Sequence, residues 1–264
     1  VRGTGASARA TISALAIACL AFASQAGAEE FSQKGTLRVG VEGKMSPNSL
    51  PRVGTAPVAV SVSGKITTTD GSLPPQLKRI SIEINRHGRL DYKGLPTCRL
   101  SQIQPANNAK ALAACRSALV GQGTFSADVV LQGQPPYPSK GRLLVFNGRE
   151  GGHQVLYGHI YTAQPFTNSF VITFRVKPIG HGTFGTALIA DLPSSLGSWG
   201  YVTGIEMTLR RSFSANGSRH SYVSAACPAP RGTSRVPFSL ARASFAFDGG
   251  KKLGSTLAKS CRAR

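Results

Sequence analysis

From Val53 onward the chain places an apolar residue at every second position. Val58, Val60 and Val62 alternate with small or polar neighbours, and Ile80, Ile82 and Ile84 alternate with Ser81, Glu83 and Asn85. The same period returns in Phe125, Ala127, Val129 and Leu131, and in Phe170, Ile172, Phe174 and Val176. It recurs in Ile205, Met207 and Leu209, then in Phe238 with Leu240 and in Phe245 with Phe247. A period of two puts one face of a strand on a core and the other in water. Between these runs stand Asp70-Gly71, Asn147-Gly148, Asn216-Gly217 and Asp248-Gly249, residues that tolerate positive φ and so read as turns. Asn216-Gly217 is the strongest hairpin signal, joining 203–213 to 219–225. Roughly ten strands at short spacing predict a mainly all-β fold, an antiparallel β-sandwich of jelly-roll type. Neither an internal repeat nor a low-complexity linker interrupts 53–264, which is therefore read as a single domain.

One segment follows a different period. Ala111, Leu112, Cys115 and Leu119 share a face at helical spacing, which predicts one short helix over 109–118 capped by Asn107 or Asn108. Gly121 and Gly123 are expected to stop it, with Gly121-Gln122-Gly123 as a turn before the next strand. A single further helical turn is expected over 191–196. Residues 29–52 read as a polar lead-in with one strand around Leu37 to Val41.

The first 28 residues have another logic. Arg2 and Arg9 precede a short apolar run from Ala14 to Ala23, and Ala26-Gly27-Ala28 offers small residues for a signal peptidase. That order predicts a secretory signal peptide over 1–28. The apolar run falls short of the roughly 20 residues that span a bilayer, and no later segment is long and apolar enough to do so. Export gives the cysteines their reading. Beyond Cys19 there remain Cys98, Cys115, Cys227 and Cys261. An even count in an oxidising compartment predicts two disulfides, with the sequence-local pairs Cys98–Cys115 and Cys227–Cys261 favoured among three connectivities. A four-thiolate metal site lacks any C-x-x-C pair, so no metal is expected.

The chain has 264 residues, 41% hydrophobic and 16% charged, with 30 Gly and 16 Pro, a globular and turn-rich composition. Motifs that would carry chemistry are missing. There is no G-x-S-x-G, no phosphate loop, and no dinucleotide fingerprint opening a helix. A glycoside hydrolase needs two carboxylates across a cleft, yet Glu83 and Glu206 fall on polar strand faces. Glu83 is expected to pair with a neighbouring Lys or Arg. His153 and His159 would share one face of a strand about 20 Å apart, too far to hold one metal. No catalytic residue and no cofactor is assigned.

Charge is the remaining signal. Lys and Arg number 31 against 11 acids, a net charge of +20. From Arg210 to the C-terminus there are eleven basic residues and one acid, Asp248. Such a surface attracts polyanions through counterion release. Arg210, Arg211, Arg219, Lys251 and Lys252 are the candidate anion-binding residues, for an anionic wall polymer, a polysaccharide or a lipid surface. Few aromatic residues accompany them, so base stacking of single strands is not expected, and no sequence-specific nucleic-acid partner is assigned.

The phrase ISIEINRHGRLDYKGLPTC from Ile80 to Cys98, Cys115 in the helix, the later GYVTGIEMTLRR and Ala226-Cys227-Pro228 together resemble an uncharacterised family of secreted proteins of high-GC Gram-positive bacteria. The resemblance spans most of the mature chain. It implies export and paired cysteines, and brings no activity, cofactor or site residue. The resulting expectation is an exported, non-catalytic envelope or extracellular protein that binds anionic polymers through its basic C-terminal region. Two other readings stand beside it: a secreted hydrolase with dispersed catalytic residues, and a small-ligand binder with an apolar pocket near Trp199 or Tyr201.

Overall fold

The computed structural model describes residues 29–193 and 200–264. The signal segment 1–28, Trp199 and the end of the helical turn expected at 191–196 lie outside the described residues; Asp191 itself ends a strand. Numbered along the chain, the strands of the main sheet are β1 (Glu29–Lys34), β2 (Leu37–Ser46), β3 (Ser49–Leu50), β5 (Ala59–Thr68) and β6 (Leu77–Asn85). They continue with β8 (Leu119–Val129), β9 (Tyr137–Glu150), β10 (His153–Thr162), β11 (Asn168–Pro178) and β12 (Phe184–Asp191). The last three are β13 (Gly200–Leu209), β17 (Arg235–Phe247) and β18 (Lys252–Ala263).

Their order across the sheet is β1-β2-β5-β13-β8-β9-β10-β11-β12-β6-β17-β18-β3, antiparallel throughout except where β3 joins β18. A meander from β8 to β12 forms the middle, and strands from both ends of the chain flank it. The sheet curls until β18 returns against β1 and β2. Its inward faces then meet: a Cβ on Gly43 would stand 2.7 Å from Leu257 Cδ1 on the opposite wall. The product is an all-β, sandwich-like body, as the alternation predicted. Its core holds inward residues of every main strand after β1, among them Val39, Ile80, Phe125, Phe174, Phe245 and Leu257. The stretch read as a lead-in belongs to this body. The strand expected around Leu37 to Val41 is β2, and Leu37, Val39 and Val41 are buried in the same core.

A second core lies on the outer side of β9, β10 and β11. Here α1 (Leu100–Ile103), α2 (Asn108–Cys115) and a single 3-10 turn (Arg116–Ala118) cover outward-facing Leu144, Phe146, Val155, Tyr157 and Val171. The Asn107 side chain accepts from the Lys110 N–H at 2.9 Å, the predicted cap. The Cys98–Cys115 bond, with Cα atoms 5.5 Å apart, ties this layer together. His159 sits beneath it, fully buried, with Nε2 donating to the Ala106 carbonyl at 2.9 Å and Nδ1 unpartnered.

Burial outweighs that hydrogen bond and lowers the His159 pKa, so the folded ring stays neutral where an unfolded one takes a proton. The stabilisation is complete above about pH 6.5 and is lost as pH falls from there toward the lowered folded value. A melt series from pH 7.5 to 5 is expected to show Tm falling across this window. His159→Gln should flatten the fall; an unchanged slope would assign the acid sensitivity elsewhere.

Three turn expectations need correction. Asn216-Gly217 does form a hairpin, with φ of 50° and 73°, between β14 (Ser212–Ala215) and β15 (Ser218–Ser221). The strand expected over 203–213, however, ends at Leu209, and Arg210-Arg211 lie between two strands. Asn147-Gly148 lie inside β9, and the turn to β10 is made by Gly151-Gly152. Asn147 is buried, its amide donating to the Pro96 carbonyl at 3.0 Å, and the Tyr157 ring occupies the space beside Gly148. Gly121 and Gly123 neither stop the helix nor make a turn. They lie within β8, where its backbone closes on β13.

Candidate anion-binding end

The strand registers divide the body into two ends. Leu209 pairs with Val60 and with Gly121, so Arg210 and Arg211 leave the sheet at one end. Ala246 pairs with Lys252 and Phe247 with Leu77, so the β17–β18 turn is at the other. Lys251 and Lys252 therefore stand opposite Arg210 and Arg211, and the five candidate residues do not form one patch. The reason is strand length. A strand of about 12 residues carries the chain roughly 40 Å at 3.3 Å per residue, from one end to the other.

The Arg210 end is closed by four segments woven together. A small sheet places β16 (Val223–Ala225) between β4 (Ala56–Pro57) and β7 (Gly88–Leu90). The Asp91 N–H donates to the Tyr222 carbonyl at 2.9 Å, Ala226 to His87 at 3.0 Å, and Cys227 to Pro51 at 2.9 Å. The Arg52 guanidinium donates to the carbonyls of Ala229 (2.7 Å), Pro230 (2.6 Å) and Thr233 (2.9 Å). Cys227 bonds Cys261 of β18, with Cα atoms 5.8 Å apart. Tyr222 is buried within this frame; burial, with Tyr92 nearby, pushes its hydroxyl pKa up, so it stays neutral.

These segments carry nearly all of their charge with one sign. Residues 46–58, 86–95, 210–235 and 262–264 contain eleven Lys and Arg and one acid, Asp91. Arg86, Arg89, Lys93, Arg210, Arg219, Arg231, Arg235, Arg262 and Arg264 are exposed; Arg52 and Arg211 are half-buried. Among the described residues none of the eleven is in an ion pair, and Asp91 instead meets His220 Nδ1 at 3.3 Å. The opposite end is mixed. Lys78 pairs with Asp248 at 3.1 Å, and Arg79 and Arg175 both reach Asp191, holding its carboxyl below its ordinary pKa.

Arg210 and Arg211 also border an open trough of about 760 Å³ on the outer wall. Its floor is the β8 stretch Gly121 to Thr124 beside Glu206 and Thr208 of β13, and Arg142 of β9 closes the far side. Arg142 donates to Gln122 Oε1 at 2.9 Å, while the Nε of Arg211 is buried without a partner.

The other candidate chemistry falls into place around this end. Glu83 is paired with Arg242 across β6 and β17. Ser169 Oγ lies 3.4 Å from His159 Nε2, but that His is fully buried and already bonded to Ala106, so the contact is not a nucleophile and base. His153 is exposed on the same strand that buries His159. Among the described residues no three His, Cys, Asp or Glu side chains converge as metal ligands. Two apolar cavities inside the body measure about 40 and 50 Å³, room for water-sized guests only. Tyr201 is half-buried at the start of β13 and lines neither of them.

Sequence reasoning placed Arg210, Arg211 and Arg219 at this end and missed Arg52, Arg86, Arg89 and Lys93. The run RHGRLDYK over 86–93 was a visible basic signal. Its pairing with β16, which brings it beside the C-terminal arginines, is a contact between strands of three residues, too short to show a period. Compared with protein-family models, with curated proteins and with solved structures, the chain finds no match in any of the three.

Proposed function

We propose that the chain is an exported, non-catalytic protein that holds an anionic polymer of the cell envelope or its surroundings against the Arg210 end. The observation that carries this reading is the eleven-to-one ratio of basic to acidic residues on a single cross-linked end, with none of the basic groups in an ion pair among the described residues. Unpaired arginines held on a braced frame meet a polyanion without first breaking ion pairs or ordering loops. The two disulfides, and the lack of a membrane-length apolar helix among the described residues, are compatible with life outside the cytoplasm.

The test is retention on heparin and on isolated wall polymer across a salt series. The parent should be retained, with log affinity falling linearly against log salt. Arg86→Gln/Arg89→Gln/Arg231→Gln/Arg235→Gln should elute at much lower salt and show a shallower slope. Lys251→Gln/Lys252→Gln, at the other end, should elute like the parent. Equal losses from both sets would reduce the interaction to net charge, and absent retention would remove the proposal.

A further inference from the structure

Resting on that reading, we infer that the trough beside Arg210 and Arg211 is a subsite for an acidic polysaccharide, one whose sugars carry spaced carboxylates. The trough is open and holds about 760 Å³, within the range of about 300–1,000 Å³ typical of small-ligand sites, so a chain can enter and leave along it. Its lining is chemically mixed. Arg142, Arg210 and Arg211 supply cationic donors, and Gln122, Thr124 and Thr208 supply amide and hydroxyl groups of the kind that bind sugar hydroxyls.

Two features narrow the ligand class. Arg211 is half-buried at the edge of the trough; its Nε has no acceptor, and among the described residues it is in no ion pair, so no protein carboxylate competes for its guanidinium. A ligand carboxylate in the trough can meet that guanidinium, a favoured pairing. The second feature is Glu206, an exposed carboxylate within the same trough that is in no ion pair among the described residues. A polyphosphate has no neutral hydroxyl along its chain to set against Glu206 and would be repelled there. A uronic-acid polymer can set a hydroxyl against Glu206 and its carboxylate against Arg211.

The experiment is calorimetric titration of the full chain with hexagalacturonate, with a neutral galactose oligomer, and with a polyphosphate of equal charge. The uronate should bind most tightly at physiological salt, and the neutral oligomer weakly. Arg211→Gln should weaken uronate binding by about tenfold, the loss of one charged hydrogen bond. Glu206→Gln should weaken the uronate and strengthen the polyphosphate. Thermal melts of both variants check that the fold is kept. Tighter polyphosphate binding by the parent, or uronate binding indifferent to Glu206→Gln, overturns this inference. Heparin retention that survives either result leaves the proposed function standing; its loss with the parent sinks both.

Discussion

Gly123→Ala is expected to destabilise the protein by about 3 kcal/mol, at the upper end of the cost of overpacking a close contact. A Cβ at this position would stand 1.8 Å from the Glu206 carbonyl oxygen and 2.7 Å from its carbon. Both atoms are backbone of β13, so no side-chain rotation relieves the clash. The strand must move, and Thr124 and Glu206, which pair across it, must move too. For a domain of this size the loss corresponds to a Tm drop of roughly 10 °C. Gly204→Ala is the control. Its nearest neighbour outside the local chain would be Gly64 O at 3.6 Å, an ordinary contact, and its cost should stay within about 1 kcal/mol. Scanning calorimetry on the two variants decides the matter. Equal melting temperatures would mean that the β8–β13 approach does not limit stability.

The second large effect is removal of the Cys227–Cys261 bond. It closes a 34-residue separation, and the chain-entropy model assigns it about 4 kcal/mol. Cys227→Ala/Cys261→Ala should lower stability by about that amount. It should also weaken polyanion retention, because the segment it anchors carries Arg231 and Arg235. Cys98→Ala/Cys115→Ala provides the contrast. That bond spans 17 residues, is worth about 3 kcal/mol in the same model, and braces the outer helical layer. Its loss should reduce stability while leaving heparin elution unchanged. If both double variants eluted alike, the end loop would not depend on its disulfide for shape.

The difference between what sequence and structure disclose follows from length scales. Long strands declare themselves: the alternation at Ile80–Ile84 and Phe170–Val176 marks β6 and β11 because each has enough residues to repeat the period. The Asn107 cap and the local cysteine pairs were legible because each is a contact between near neighbours. Three features were not. Gly121 and Gly123 look like helix stops because a glycine signals freedom, whereas here the absent side chain serves a contact with residues more than eighty positions away. Asn147 looks like a turn residue, yet its amide is spent on the carbonyls of a distant loop. The basic end was half visible. Arg210, Arg211 and Arg219 stand out in the C-terminal charge count, but Lys251 and Lys252 were grouped with them by sequence, and β17 separates the two sets by the length of the body.

The distribution of charge between the two ends has a mechanical consequence. A body with eleven cations against one acid at one pole, and acids paired with Lys and Arg at the other, is more strongly positive at the first pole than at the second. The field above a negatively charged wall or gel exerts a torque on such an uneven charge before any contact is made. The molecule would land cation-first and stand upright, with the Asp191 and Asp248 pole turned toward the medium and free to meet whatever arrives there.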